Sequence, residues 1–406
     1  MQQTLFNVID TDKLTLDMFR AYYDARKNKR NTPNALAFEK HLESNVFALC
    51  EEVFNKTYQP RPSICFVVDK PVKREVFAAD FRDRIIHHLI YNYISPIFES
   101  TFINDSYSCR KGKGTHYGIK RIDHFIRSCS HNYTQDCYVL KLDIKGYFMA
   151  MNKKLLFEKI KDTLLGKLNK TDFEYPIVIY LIEKTLFNEP TNNCVIKGRK
   201  ADWEGLPPSK SLFHAKPNCG LPIGNLTSQL FGNIYMNTFD HWVKQELGIQ
   251  YYGRYVDDFV LIHCDKEFLK SCIPVIRTYM KKEIKLELHP HKIHLQHYSK
   301  GVQYLGAVIK PHRIYVARRT TGNFYASIAK HNRIVRENKP EKETQKAFLS
   351  SMNSYLGIMK HFKTYKLRKL IIFKNLSAWC WKYAYLEAGI QKFVLKKKYS
   401  VVDCFK

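Results

Sequence analysis

No run of 18 uncharged apolar residues occurs in this 406-residue chain, so no membrane-spanning helix is expected. No basic, apolar and small-residue leader opens it either, because Met1-Gln2-Gln3-Thr4 leads straight into polar sequence. The 11 cysteines never form a CxxC pair and never stand at zinc-ligand spacing with histidine, which argues against a zinc module and a disulfide framework. Such an odd, dispersed set fits a reducing cytoplasm. Internal repeats and low-complexity tails are missing as well. Acidic residues are scarce: 38 Asp+Glu stand against 66 Lys+Arg, for a formal charge of +28. That surplus points to a polyanionic partner, since neutralised phosphates release condensed counterions and drive affinity. The 26 Tyr and 26 Phe add stacking surface for bases and sugars, although most of them are expected in the core.

Among the few acids, three stand in telling places. Tyr255-Val256-Asp257-Asp258 joins an aromatic run (Tyr251-Tyr252-Gly253-Arg254) to an apolar one (Phe259-Val260-Leu261-Ile262), which predicts a tight β-hairpin with two carboxylates at its tip. Adjacent carboxylates repel, and a divalent cation held through their oxygens relieves that repulsion. Tyr138-Val139-Leu140-Lys141-Leu142-Asp143 reads as a second strand ending in an acid. Placed beside the hairpin in one sheet, Asp143, Asp257 and Asp258 make a two-metal site for in-line displacement.

These segments resemble the two catalytic motifs of reverse transcriptases: Leu142-Asp143-Ile144-Lys145-Gly146-Tyr147-Phe148 and Tyr255-Val256-Asp257-Asp258. Between them Gly220-Leu221-Pro222-Ile223-Gly224-Asn225-Leu226-Thr227-Ser228-Gln229 resembles the substrate- and template-handling motif, in the form found in diversity-generating retroelements and their bacterial group II-intron-like relatives. Phe81-Arg82-Asp83-Arg84-Ile85-Ile86-His87-His88 and residues 105–116 are similar to that group's fingers, and Gly301-Val302-Gln303-Tyr304-Leu305-Gly306 to its primer grip. The series runs from about residue 70 to about 310.

The resemblance implies an α+β right-hand polymerase fold: fingers, a palm with an antiparallel sheet, and a helical thumb. The expected layout is an N-terminal helical extension over 1–60, fingers over 61–125, and palm over 126–310. The palm would carry fingers helices and an insertion at about 155–219, loop-like over 188–219. A basic helical thumb would follow over 311–406. Leu14, Met18, Tyr22 and Leu42, Val46, Leu49, Val53 have helical spacing and read as packing faces. Ile64-Cys65-Phe66-Val67-Val68 reads as a strand, 81–98 as a helix, and Phe348-Leu349-Met352-Tyr355-Leu356-Met359 as a thumb helix. The Lys396-Lys397-Lys398 run reads as a solvated end.

The resemblance also implies an RNA-directed DNA polymerase using two divalent ions, magnesium or manganese. Asp143, Asp257, Asp258 and the Ile144 carbonyl would be the metal ligands, the three acids the catalytic residues. Arg74, with Lys73 as second candidate, would clamp the triphosphate. Lys292 would stand near the leaving pyrophosphate as a general acid. Phe148 would exclude a 2′-hydroxyl, Gly224 would allow close backbone approach, and Tyr304, Leu305 and Gly306 would form the primer grip. Ile223 and Gln229 depart from the Gln and Pro common at those places. Diversity-generating enzymes share the departure, which implies error-prone copying opposite template adenine.

Expected partners are a structured RNA template, a DNA or RNA primer and deoxynucleotides, with a small basic accessory protein or a second polymerase subunit beside them. A diversity-generating retroelement is the first reading of the biology. The alternatives are antiphage defence with a noncoding RNA and a catalytically inactive RNA-binding scaffold. Neither a DNA-binding and endonuclease module nor a ribonuclease H domain is expected.

Overall fold

The computed structural model describes residues 11–27, 29, 31–69, 72–337 and 341–396. The first ten positions of the N-terminal extension, and Lys397 and Lys398 of the lysine run, lie outside the described residues.

Three helices, α1 (Thr11–Arg26), α2 (Pro33–Glu39) and α3 (Leu42–Phe54), open the chain. Leu14, Met18, Tyr22, Val46, Leu49 and Val53 are all buried, so both helical stripes are packing faces. The strands β1 (Ile64–Val68) and β2 (Arg74–Ala78) pair antiparallel, from Ile64↔Ala78 to Val68↔Arg74. Asp80 then caps α4 (Phe81–Glu99), its carboxylate accepting the Arg82 N–H at 3.1 Å. After α5 (Thr115–Cys129) come β3 (Tyr138–Asp143), the single turn α6 (Tyr147–Ala150), α7 (Lys153–Leu165) and α8 (Tyr175–Leu186).

The stretch expected to be loop-like is mostly short 3₁₀ turns, but it also contributes β4 (Val195–Ile196), a third strand paired parallel to β1. The Gly220 motif leads into α9 (Leu226–Gln245). The predicted hairpin is β5 (Tyr251–Tyr255) and β6 (Asp258–His263), followed by α10 (Lys266–Glu283) and β7 (His294–His297). The palm sheet runs β5-β6-β3-β7. Phe259, Val260, Leu261 and Ile262 of β6 are each at most 1% exposed, and burial of side chains this size is worth roughly 1.5–3 kcal/mol apiece.

Farther on, β8 (Val302–Tyr304), β9 (Ala307–Lys310) and β10 (Arg313–Val316) form an antiparallel meander. Helices α11 (Arg318–Glu337), α12 (Lys342–Met359), α13 (Tyr365–Asn375) and α14 (Ala378–Tyr383) follow, then a hairpin of β11 (Ala384–Leu386) and β12 (Phe393–Leu395). Phe348, Met352, Leu356 and Met359 of α12 are fully buried in this unit's core.

Two compact units result, one of Met1–Gly114 with Leu140–Leu295, the other of Thr115–Val139 with Gln296–Lys406. They cut across the boundaries at 125 and 310 drawn from sequence. α5 joins the C-terminal unit because it packs on β9, and the meander from Val302 belongs there too. No helix among the described residues is long and apolar enough to cross a membrane.

Candidate active site

Strand alternation and turn chemistry bring the three carboxylates to one end of the palm sheet. β3 ends at Asp143, and β6, its neighbour, begins at Asp258. Asp257 sits in the two-residue turn of the hairpin, where Tyr255 opposes Asp258. The Ile144 N–H donates to the Asp257 carbonyl at 3.1 Å, so the residue after Asp143 is tied to the turn that carries Asp257. On the other side the His289 N–H donates to the Asp143 carbonyl at 2.8 Å.

The turn is strained. Val256 has φ +55°, a left-handed conformation that crowds a β-branched side chain. The buried Arg254 holds it by donating to the Val256 carbonyl at 3.1 Å. The same guanidinium grips both oxygens of Asp240 on α9, each at 2.7 Å. Burial alone would lower the pKa of Arg254, but the Asp240 carboxylate outweighs it and holds it well above the usual arginine range.

Negative charge is concentrated here. Burial, then Asp143 and Asp258, pushes the Asp257 carboxyl up to about 6. Burial likewise raises Asp258, against the pull of Lys141. The Lys292 ammonium lies 2.9 Å from both oxygens of Asp143, and Lys141 lies 3.3 Å from Asp258. Among the described residues no three or more His, Cys, Asp or Glu side chains are drawn together as a ready metal cage, and two of these carboxylates pair with lysines. The donor set nonetheless fits a hard divalent cation: carboxylate and carbonyl oxygens, with a surplus of negative charge that burial makes costly.

The other expected residues divide. Arg74 is exposed at the start of β2 and acts electrostatically on Tyr255 of the hairpin. Lys73 is engaged elsewhere, donating to the Glu204 carbonyl at 2.6 Å. Phe148 packs edge-on against Tyr147 with ring centroids 4.9 Å apart. Ile223 accepts the Phe77 N–H at 2.8 Å through its carbonyl. Gly224, at φ +128°, lies against β2: a Cβ there would come 2.7 Å from the Phe77 carbonyl oxygen, so no larger residue fits without movement. Gln229 is exposed on α9. Tyr304, Leu305 and Gly306 belong to the C-terminal unit, where Tyr304 is buried and Leu305-Gly306 form the β8–β9 turn.

Sequence reading missed Lys141, Asp240 and Arg254. Lys141 and Arg254 left a faint signal, a cation inside an otherwise apolar or aromatic strand; Asp240 left none within its helix.

Residues 72–309 match the family described as "Reverse transcriptase (RNA-dependent DNA polymerase)". Protein YkfC of Escherichia coli (strain K12) is 24% identical over 307 residues, which cover 67% of this chain and 73% of that protein. Among solved structures, apo telomerase from Candida tropicalis truncated from its C-terminal domain aligns at TM-score 0.45 and 14% identity, over 66% of this chain and 58% of that one. Telomerase from the same organism in complex with a TWJ fragment of telomeric RNA aligns at TM-score 0.45 and 12% identity, over 77% and 55%. The chain thus spans less than two thirds of those telomerase chains. Its mixed helices and antiparallel palm sheet are those of the right-hand polymerase fold. The family match takes in more than half of the 406 residues and both acidic motifs, and the chain belongs to the reverse transcriptases, the RNA-directed DNA polymerases.

Proposed function

We propose that this chain extends a DNA or RNA primer with deoxynucleotides on a dedicated structured RNA, within a diversity-generating retroelement, and miscopies template adenine. The observation that carries the chemistry is the Ile144 N–H bond to the Asp257 carbonyl, which keeps the two acid-bearing backbones side by side. Asp143, Asp257, Asp258 and the Ile144 carbonyl would hold two divalent cations, magnesium or manganese, whose Lewis acidity activates the primer 3′-hydroxyl and stabilises the leaving pyrophosphate.

The chain's own side chains supply the rest. In the reaction the 3′-hydroxyl loses its proton to solvent and its oxygen bonds to the α-phosphorus as the bond to pyrophosphate breaks. Lys292, once released from Asp143, would give its proton to the departing oxygen. The exposed Arg74 would pair with triphosphate oxygens, in preference to Lys73, which the Glu204 carbonyl already engages. Phe148 would lie against the sugar and reject a 2′-hydroxyl. Ile223, where a hydrogen-bonding side chain is common in relatives, would leave the nascent pair less well checked, which is the reason to expect errors.

The test is to sequence DNA made by the purified protein on a defined primer and RNA template with magnesium and all four deoxynucleotides, with Asp257→Asn alongside. Errors concentrated opposite adenine and lost with Asp257→Asn are the expected result. Faithful Asp257-dependent DNA would overturn the error-prone reading and turn the biology toward defence. Product that persists in Asp257→Asn would overturn the catalytic assignment.

A further inference from the structure

A second set of contacts lies behind the proposed nucleotide site. Glu75, on β2 beside Arg74, is 1% exposed, and its carboxylate is engaged by three neutral donors from the insertion. Trp203 Nε1 and Ser211 Oγ donate to Oε2 at 2.7 and 2.9 Å, and the Leu212 N–H donates to Oε1 at 2.6 Å. A buried carboxylate without its donors is expensive, so this three-bond grip fixes the insertion against β2 in one register.

The grip places insertion side chains where the nucleotide residues need support. Leu212 shares a small core with Cys65, Phe77 and Met149, and Trp203, Phe148 and Ile223 pack against that core. Backbone contacts close the assembly. A Cβ on Gly146, three residues after Asp143, would stand 3.1 Å from the Ser209 carbonyl oxygen. One on Gly220 would stand 2.6 Å from Leu212 Cδ1. Interiors this close-packed transmit small displacements rather than absorb them. Phe148 and Ile223 therefore pack against a core to which the insertion contributes Leu212.

We infer that the insertion, pinned by Glu75, sets the width of the nucleotide site and thereby its preference for deoxy- over ribonucleotides, with Glu75, Trp203 and Leu212 as positioning residues acting through Phe148 and Ile223. This rests on the polymerase reading. Glu75 is buried away from the substrate and acts by holding Leu212 and Trp203 behind the residues that meet it.

The experiment compares kcat/KM for single dNTP and matching rNTP additions by the full chain, in wild type, Trp203→Phe, Glu75→Gln and, as a gate control, Phe148→Ala. Trp203→Phe removes one donor and keeps a ring, whereas Glu75→Gln points an amide N–H at one of the three donors. Each is expected to narrow the dNTP/rNTP ratio by about tenfold, mostly through a lower KM for the ribonucleotide, a readout that general loss of stability does not move. Ratios within twofold of wild type in both variants, with Phe148→Ala relaxed, would overturn the inference and leave the polymerase reading intact. Absence of Asp257-dependent DNA from wild type would overturn both. Should Glu75→Gln not fold, Ser211→Ala, which also removes one donor, takes its place beside Trp203→Phe.

Discussion

Arg254 and Asp240 form a bidentate ion pair with two 2.7 Å bonds, both side chains at most 2% exposed, and the same guanidinium holds the Val256 carbonyl in the hairpin turn. Removing one partner strands a buried charge, at a cost of about 3–5 kcal/mol. Asp240→Ala is therefore expected to lower the urea unfolding free energy by that amount. A loss below about 1 kcal/mol would show that the pair is not what secures the hairpin.

Lys292 should divide catalysis from stability. Its side chain is 48% exposed, so its pair with Asp143 contributes at most about 1 kcal/mol to folding. As the proposed proton donor it should matter far more to rate. Lys292→Ala is expected to reduce single-nucleotide kcat by roughly a hundredfold or more while leaving the unfolding midpoint nearly unchanged. Rapid-quench incorporation and a thermal melt check the two halves separately.

The strain at Val256 predicts a trade between stability and activity. A β-branched residue at φ +55° costs on the order of 1–3 kcal/mol, whereas glycine there loses only about 0.5–1 kcal/mol more backbone entropy. Val256→Gly is expected to stabilise the protein by about 1 kcal/mol and to slow incorporation, because the backbone holding Asp257 gains freedom. A variant both less stable and equally active contradicts this account.

One buried histidine predicts an acid sensitivity. His87, whose Nδ1 lies 2.8 Å from Thr227 Oγ1, has its pKa lowered to about 3 by burial, then by His88 and Arg84. The unfolded chain takes up this proton below about 6.5 and the folded chain does not until about 3. Stability is therefore complete above about pH 6.5 and lost as pH falls through that window. Asp83, one turn earlier, runs the opposite way, because burial raises it to about 6 and favours folding as pH falls from about 6 to 3.8. His87→Gln isolates the histidine. Between pH 7 and 5 the wild type is expected to lose about 2 kcal/mol more than this variant, measured by urea unfolding at each pH.

What the sequence determined by itself was local. The limits of β1, the start of α4 at Phe81 and the hairpin around Val256-Asp257 follow from apolar runs, an aspartate cap and a tight turn within a few residues of one another. Asp143 and Asp257 were legible because each ends or joins a strand of recognisable pattern. The tertiary structure alone decided the long-range partners: Lys292 reaches Asp143 across 149 positions, and Trp203 reaches Glu75 across 128. It also decided that Arg254 closes on Asp240 rather than facing solvent. No periodicity encodes such pairs. A buried charge is tolerable only where another segment brings its counterpart, and which segment does so is settled by the packing of the whole sheet and its helices.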